Sequence, residues 1–226
     1  MSAEKIYTIP INEAFDKGDG CPLCAVKKKV DADETERIIG AAMMEPDVRI
    51  STNAQGFCPG HLEKLMGAGS RLSLALTLKT HLEALQKSVY SKPALGGYDP
   101  KKQAAKLEKV CSSCYVCQRV NDFMKHTVDA FVYMWQNDSG FLKKAMAQPF
   151  YCLEHTKKLM SSAAAQLNKK DAQAFAKAFC EHNEQYLKTL IEDVDWFCKR
   201  FDYRYKDADA KNSKDSIERA AKFLNK

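Results

Sequence analysis

The feature that most constrains this chain is a set of cysteine motifs that occurs twice. Cys21-Pro-Leu-Cys24 is followed by Cys58-Pro-Gly-His61, and Cys114-Tyr-Val-Cys117 is followed by Cys152-Leu-Glu-His155. Cys58 lies 34 positions after Cys24, and Cys152 lies 35 after Cys117. An aromatic residue, Phe57 or Tyr151, precedes the third cysteine in each copy. Each histidine opens a similar run, His61-Leu-Glu-Lys-Leu-Met66 and His155-Thr-Lys-Lys-Leu-Met160. The pattern is a duplicated unit of about 47 residues, with a further helical segment after each copy.

Two ligands three positions apart aim at one point across a tight turn, and two such pairs supply a closed tetrahedral shell. Three thiolates and one imidazole suit zinc. Adjacency in sequence predicts one site from Cys21, Cys24, Cys58 and His61 and a second from Cys114, Cys117, Cys152 and His155, for two zinc ions per chain. The recurring histidine argues against thiols that align by chance. An iron–sulfur centre is the alternative metal. Covalent haem is disfavoured, because Ala25 and Gln118 stand where a histidine should directly follow Cys-x-x-Cys, and no βαβ pattern supports a thioredoxin-like dithiol. Four protein ligands leave no open position, so both sites read as structural and contribute directly to folding. Cys111-Ser-Ser-Cys114 overlaps the second motif, and Cys111 is open to three roles: a spare thiol, a substitute ligand, or a group supporting a ligand. Cys180 and Cys198 read as buried small hydrophobes.

No segment alternates with period two over a strand's length, and the apolar residues recur at helical spacing. The fold class expected is all-α: two pseudo-repeated, metal-tied helical units plus C-terminal helices. Asn12 is expected to cap a short helix that ends at Gly18-Asp-Gly20. Residues 25–43 read as a polar helix marked by Val26, Val30, Ile38 and Ile39, too sparse in apolar residues to hold by packing alone. Leu74, Leu78, Leu82, Leu85 and Val89 form one face after a Ser70 cap. Val116, Val120, Phe123, Phe131 and Trp135 mark the helix after the second Cys pair, which Gly140 is expected to end. Phe175, Phe179, Tyr186, Leu190, Val194 and Phe197 stripe a helix from about 170 to 200. A last helix starts near Asp215 with Glu218 as a capping box, its apolar face Ile217, Ala220, Ala221 and Leu224. Two prolines and two glycines in 91–100 make that stretch the expected linker between a first unit, 1–90, and a second, 101–226, within one compact structure.

Composition narrows the class further. At 226 residues, 45% apolar and 28% charged, the chain is an ordinary globular protein rather than a disordered or fibrous one. Nine cysteines are an odd number, so complete internal pairing is impossible, and metal ligation explains them better than disulfides. The N-terminus lacks the apolar core of a signal peptide, and the longest apolar-leaning stretch, 72–78, is too short to span a bilayer. The expected address is the cytoplasm, with no membrane insertion. The formal charge of +6 falls to near +4 with two metals bound by three thiolates each, which weakens a nucleic-acid role. Lys27, Lys28 and Lys29 followed by Asp31, Asp33 and Glu34 read as a mixed, solvated surface.

The remaining candidates carry less. His81, His126 and His182 are isolated, and the methionines read as core filling. A Cys–His nucleophile from Cys111, Cys180 or Cys198 has nothing in sequence to assemble it. The segment 197–206 interleaves aromatics with Arg200, Arg204 and Lys206, a mix that can stack on single-stranded nucleic acid. It reads better as a helix end with aromatics folded back on the core and cations at the negative end of the dipole.

The opening Ile-Tyr-Thr-Ile-Pro-Ile-Asn-Glu-Ala-Phe before Cys-Pro-Leu-Cys, the two Cys-x-x-His turns, and the closing Phe-Asp-Tyr-Arg followed by Asn-Ser-Lys-Asp-Ser resemble an uncharacterised bacterial family of about this length, found mostly in anaerobic Gram-positive bacteria. The resemblance spans nearly the whole chain. It implies a cytoplasmic bacterial protein and brings no established activity. The label of transporter substrate-binding component that members sometimes carry fits neither the absent export signal nor the absent two-lobed α/β pattern. The expected role is a zinc-stabilised helical interaction protein whose expected partner is another protein. The rivals are a thiol- or metal-dependent enzyme, with Cys111 the first suspect, an iron–sulfur or redox sensor, and a nucleic-acid-binding protein.

Overall fold

The computed structural model describes residues 2–18, 20–92, 97–205 and 208–225, with only the backbone of 2–5. Among these residues there are eleven α-helices and two 3-10 turns, and no strand. In chain order the helices are α1 (Ser2–Lys17), α2 (Pro22–Ile39), α3 (Pro46–Gln55), α4 (Pro59–Gly67), α5 (Arg71–Ser88), α6 (Pro100–Cys111), α7 (Tyr115–Asn137), α8 (Ser139–Met146), α9 (Leu153–Gln166), α10 (Lys169–Lys199) and α11 (Ser216–Phe223). The 3-10 turns are Ala41–Met44 and Tyr203–Tyr205. The all-α expectation holds. Among the described residues no helix is long and apolar enough to cross a membrane.

The chain divides into two compact units, Met1–Lys27 with Met124–Lys226, and Lys28–Phe123. This is not a sequential division at 91–100. That stretch lies inside the second unit, and residues 93–96 of it are outside the described residues. The duplication is nevertheless visible: α2 to α5 and α7 to α10 run in parallel order, each copy opening on a Cys-x-x-Cys and passing through a Cys-x-x-His.

The unit formed by 1–27 and 124–226 has an aromatic core. Phe131 meets Phe141 edge-on at 5.0 Å and Tyr151 at 5.8 Å between ring centroids, and Tyr151 meets Phe179 at 4.9 Å. Edge-to-face pairs of this kind add to the area buried. Phe175, Phe179 and Leu190 of the α10 stripe are buried as expected, and the stripe also carries a buried polar residue, Asn183. Phe223 anchors α11 against Phe150. Unit 28–123 is built from smaller side chains, including Ile38, Val48, Leu65, Leu74, Val116 and Val120, all buried.

Several local expectations change. Asn12 lies inside α1, where its side chain donates to the Thr8 carbonyl at 3.0 Å in a continuous helix that also contains Pro10. The polar helix runs from 22 to 39 rather than 25 to 43, because Gly40 stops it and a 3-10 turn follows. Ser70 caps α5 as expected, but Leu82 is exposed, and Thr77 replaces it on the buried face. Gly140 does not end α7. The Asp138 carboxylate accepts from the Gly140 amide and starts α8 there. Asp215 and Glu218 form no capping box, since the Asp215 carboxylate binds Arg219 instead. The buried residues of α11 are Ser216 and Phe223, while Ile217, Ala221 and Leu224 are exposed. Cys180 and Cys198 are exposed, each one position, and so about 100° of helix, past Phe179 and Phe197 of the stripe.

Within the aromatic–basic segment, Arg204 is held bidentate by Asp202, and the Trp196 indole donates to the Asp209 carbonyl at 2.9 Å. Tyr205 packs against Trp196, but Phe201 and Tyr203 stand exposed rather than folded back on the core. Lys206 lies outside the described residues.

Candidate metal centres

All four motifs sit at helix N-termini, and in each the first cysteine is the residue just before the helix. Cys58 and Cys152 have nearly the same backbone conformation, φ −71° and ψ 162° against φ −65° and ψ 164°. Their carbonyls accept the first helical bonds, from Leu62 at 2.9 Å and from Thr156 at 2.8 Å. Cys114 does the same with Gln118 at 3.0 Å, and Cys21 with Ala25 at 3.3 Å. The second ligand of each motif then falls in the first turn, beside free backbone amides and the positive end of the helix dipole. That environment favours thiolate over thiol.

The structure groups the ligands across the two copies. Cys21 and Cys24 come together with Cys152 and His155, and Cys58 and His61 come together with Cys114 and Cys117. The pairing by adjacency is therefore corrected: each Cys-x-x-Cys meets the Cys-x-x-His of the other copy. Helix length explains it. From Cys24 the rest of α2 carries the chain about 23 Å away, and the ten residues of α3 span only about 15 Å, so the Cys-x-x-His turn is set down away from its own Cys-x-x-Cys. In the second copy α7 is 23 residues and α8 only eight. Each group lies within one compact unit, the first in 1–27 with 124–226 and the second in 28–123.

In the first group His155 points Nδ1 at the sulfurs, 3.1 Å from Cys152, 3.3 Å from Cys24 and 3.7 Å from Cys21. Cys24 and Cys152 are 3.5 Å apart. In the second, His61 Nδ1 is 3.2 Å from Cys58, 3.3 Å from Cys114 and 3.4 Å from Cys117, with Cys58 and Cys117 3.8 Å apart. These separations are far longer than the roughly 2.05 Å of a disulfide. They match the edges of a tetrahedron whose metal–sulfur bonds are about 2.3 Å, which places neighbouring ligands about 3.7 Å apart. The donor set and the spacing both fit one ion in each group.

Protonation shows what an ion would resolve. Burial, reinforced by Cys152 and Cys24, pushes the Cys21 thiol well above its ordinary range, while hydrogen bonds from Cys152 and Cys21 draw Cys24 down to about 3. In the other group burial and Cys114 raise Cys117 to about 12. Burial also opposes ionisation of Cys58, but His61 and the neighbouring thiols bring it down to about 7. Without a cation each cluster favours one thiolate over its neighbours. A dication would accommodate all three.

The surroundings of the two groups differ. His61 Nε2 is 2.8 Å from the Asp31 carboxylate, which also binds Lys64. Burial works against the Asp31 charge, yet Lys64 and His61 hold its pKa below the usual carboxylate range. This is the carboxylate–histidine arrangement that orients a metal ligand. His155 Nε2 is buried and has no hydrogen-bond partner among the described residues. The residue ten positions after Cys114, matching Asp31 after Cys21, is the buried Met124. Around His155 the polar contacts go elsewhere. The Asn225 amide reaches Cys24 at 3.6 Å, and Glu154 is paired by Lys158 at 2.7 Å and Lys27 at 3.2 Å, which brings its pKa to about 2.

The turns that present the histidines are also held differently. In 28–123 the Gly56 carbonyl accepts from the Tyr115 amide at 3.0 Å, and the Ser113 hydroxyl donates to the Gln55 carbonyl at 2.7 Å, so backbone joins the two motifs directly. Gly56 has φ +62°, and a Cβ there would sit 2.6 Å from the His81 ring. In the other unit Asn183 of α10 binds both sides of Tyr151, accepting from its amide at 3.0 Å and donating to its carbonyl at 2.9 Å.

Sequence reasoning missed Asp31, Asn183, Gly56 and Asn225. Asp31 was hidden in a run that reads as solvated surface. That run is in fact partly engaged: Glu34 binds Arg37 at 2.9 Å and Arg119 at 3.4 Å. Asn183 did leave a signal, as a polar residue four positions after Phe179 on an apolar stripe. Cys111 is exposed at the end of α6 and belongs to neither group. His81 bonds the Asn53 carbonyl through Nδ1 at 2.9 Å, a packing role.

The chain belongs to the family described as "Family of unknown function (DUF6062)", which it matches over residues 1–226. No curated protein and no solved structure matches it.

Proposed function

For a member of a family without a known function, we propose that this chain is a zinc-stabilised helical protein with two structural centres, and that it works by binding a protein partner rather than by catalysis. The first centre uses Cys21, Cys24, Cys152 and His155, and the second Cys58, His61, Cys114 and Cys117. The observation that carries this reading is the composition of the two groups, three sulfurs and one imidazole nitrogen with all four ligand atoms within 4.8 Å. Such a group fits a single ion and leaves no position for water or substrate. An iron–sulfur cluster spreads its ligands over several metal atoms, so the tight grouping favours zinc. The partner reading draws support from the exposed apolar side chains of α10 and α11, where Ile191 and Leu224 border a groove of about 370 Å³ lined also by Leu187, Val194 and Phe223.

Elemental analysis of protein purified without chelator, joined to X-ray absorption at the metal edge, tests the centres. Two zinc per chain, each with three sulfurs and one nitrogen, is the expected result, unchanged in Cys111→Ser. An oxygen ligand at either metal would move the reading to an enzyme. Iron with acid-labile sulfide would move it to a redox or sensing role.

A further inference from the structure

Within unit 28–123, α6 stands apart from the other helices. It is 12 residues long, begins at an Asp99 cap, and has no fully buried side chain, Gln103 and Val110 being half-buried. A helix of this length is marginal in water without a packed face. Its inward face carries Gln103, which donates to the Val89 carbonyl, then Lys106, Lys109 and Val110. Beneath that face lies a cavity of about 540 Å³ between α3, α5 and α6. Ile50 and Ala54 of α3 and Leu85 with Val89 at the end of α5 line it with hydrocarbon. Among the described residues no carboxylate lines it, and the two lysines are its only charged groups. Lysine stems lie readily along apolar surface while their ammonium groups stay at the rim.

A largely apolar pocket of this size with two lysines on its rim is built like a site for a ligand with an apolar body and a negative end. We propose that this cavity binds a single-chain anionic amphiphile, a medium-chain fatty carboxylate or the corresponding alkyl phosphate. Its hydrocarbon fills the space beneath α6, and its head group lies between Lys106 and Lys109. The ligand supplies the apolar surface that α6 otherwise lacks. This site is independent of the metal centres and of the partner reading.

The test uses the full-length, zinc-loaded chain and calorimetric titration below the aggregation concentration of each probe. Decanoate is expected to bind once per chain. Affinity should rise about fourfold per methylene from hexanoate to decanoate, as each methylene leaves water. Decanol, lacking the charge, should bind at least tenfold more weakly. The double substitution Lys106→Glu with Lys109→Glu, on exposed positions that leave the fold alone, should weaken decanoate at least tenfold. Ala54→Trp should abolish binding by filling the cavity. Decyl phosphate run beside decanoate tells which head group is preferred, and tighter binding of either supports the site. The proposal is overturned if no carboxylate or phosphate of this series saturates, if binding is indifferent to both the charge reversal and Ala54→Trp, or if the chain associates only with phosphatidylglycerol vesicles and not with the free amphiphile.

Discussion

His61 and His155 occupy equivalent places in a duplicated motif, offer the same nitrogen to three sulfurs, and yet are supported in opposite ways. His61 has a carboxylate behind it, and the turn before it is tied by backbone to the other motif. His155 has a bare, buried Nε2, and its turn is held by a side chain from the long helix α10. The units around them differ in the same sense. Large aromatic rings interlock in the unit that holds His155, whereas the buried side chains of the His61 unit are mainly aliphatic and small, with Tyr115 a buried ring among them. Where packing is strong, the centre is left with little polar support. Where packing is thin, hydrogen bonds and charge hold the ligands in place.

Metal removal tests that contrast with the largest effect. Structural zinc contributes about 10–16 kcal/mol of apparent binding free energy in small peptides, far more than any single contact here. Stepwise chelation followed by amide hydrogen exchange should therefore expose 28–123 first and most completely, while α7 to α10 beyond residue 124 keep partial protection from their aromatic core. Equal loss in both units would mean that the aromatic core contributes nothing without its metal.

Next come the two turns. Gly56→Ala forces a left-handed backbone on a residue with a Cβ, at about 1–3 kcal/mol, and adds a clash with the His81 ring. Asn183→Ala leaves the buried Tyr151 amide unpaired, at about 1–3 kcal/mol, while the Tyr151 carbonyl keeps the Thr156 hydroxyl at 3.1 Å. Denaturant melts of the zinc-loaded variants should show losses of comparable size, read in 28–123 for the first and in the aromatic unit for the second. A near-neutral Gly56→Ala would show that the His81 ring moves aside freely.

Asp31→Asn sharpens the comparison directly. Removing the carboxylate behind His61 should weaken the second centre about 10–100-fold and leave the first unchanged. Zinc release to a chromogenic chelator, followed in the parent and in Asp31→Asn, separates the two. Faster release from both centres would contradict the assignment of Asp31 to His61 alone.

The smallest effect is a pH dependence in the aromatic unit. Burial lowers the pKa of His182 below its ordinary 6.5. Between the two values the unfolded chain binds the proton that the folded chain refuses. The contribution of His182 is therefore fully present above about pH 6.5 and is lost as pH falls below it toward the folded value. His182→Gln should flatten this part of the stability–pH curve, seen as a difference between parent and variant melts. An unchanged slope would mean that His182 protonates as easily folded as unfolded.

The sequence by itself determined which residues could serve as ligands, that they come in two sets, and that the chain is helical throughout. Those are local properties: ligand spacing within one turn, and apolar recurrence at the helical period. The stripe on α10 and the Ser70 cap follow from the same local rules. Only the tertiary structure decided which Cys-x-x-Cys meets which Cys-x-x-His. That depends on how far α2 and α7 carry the chain before it turns: each long helix is followed by a shorter one, and the Cys-x-x-His turn is set down away from its own Cys-x-x-Cys. Asp31 and Asn183 belong to the same class. Each is an ordinary polar residue in sequence, and becomes a support only because folding places a histidine ring or a buried peptide within hydrogen-bond reach.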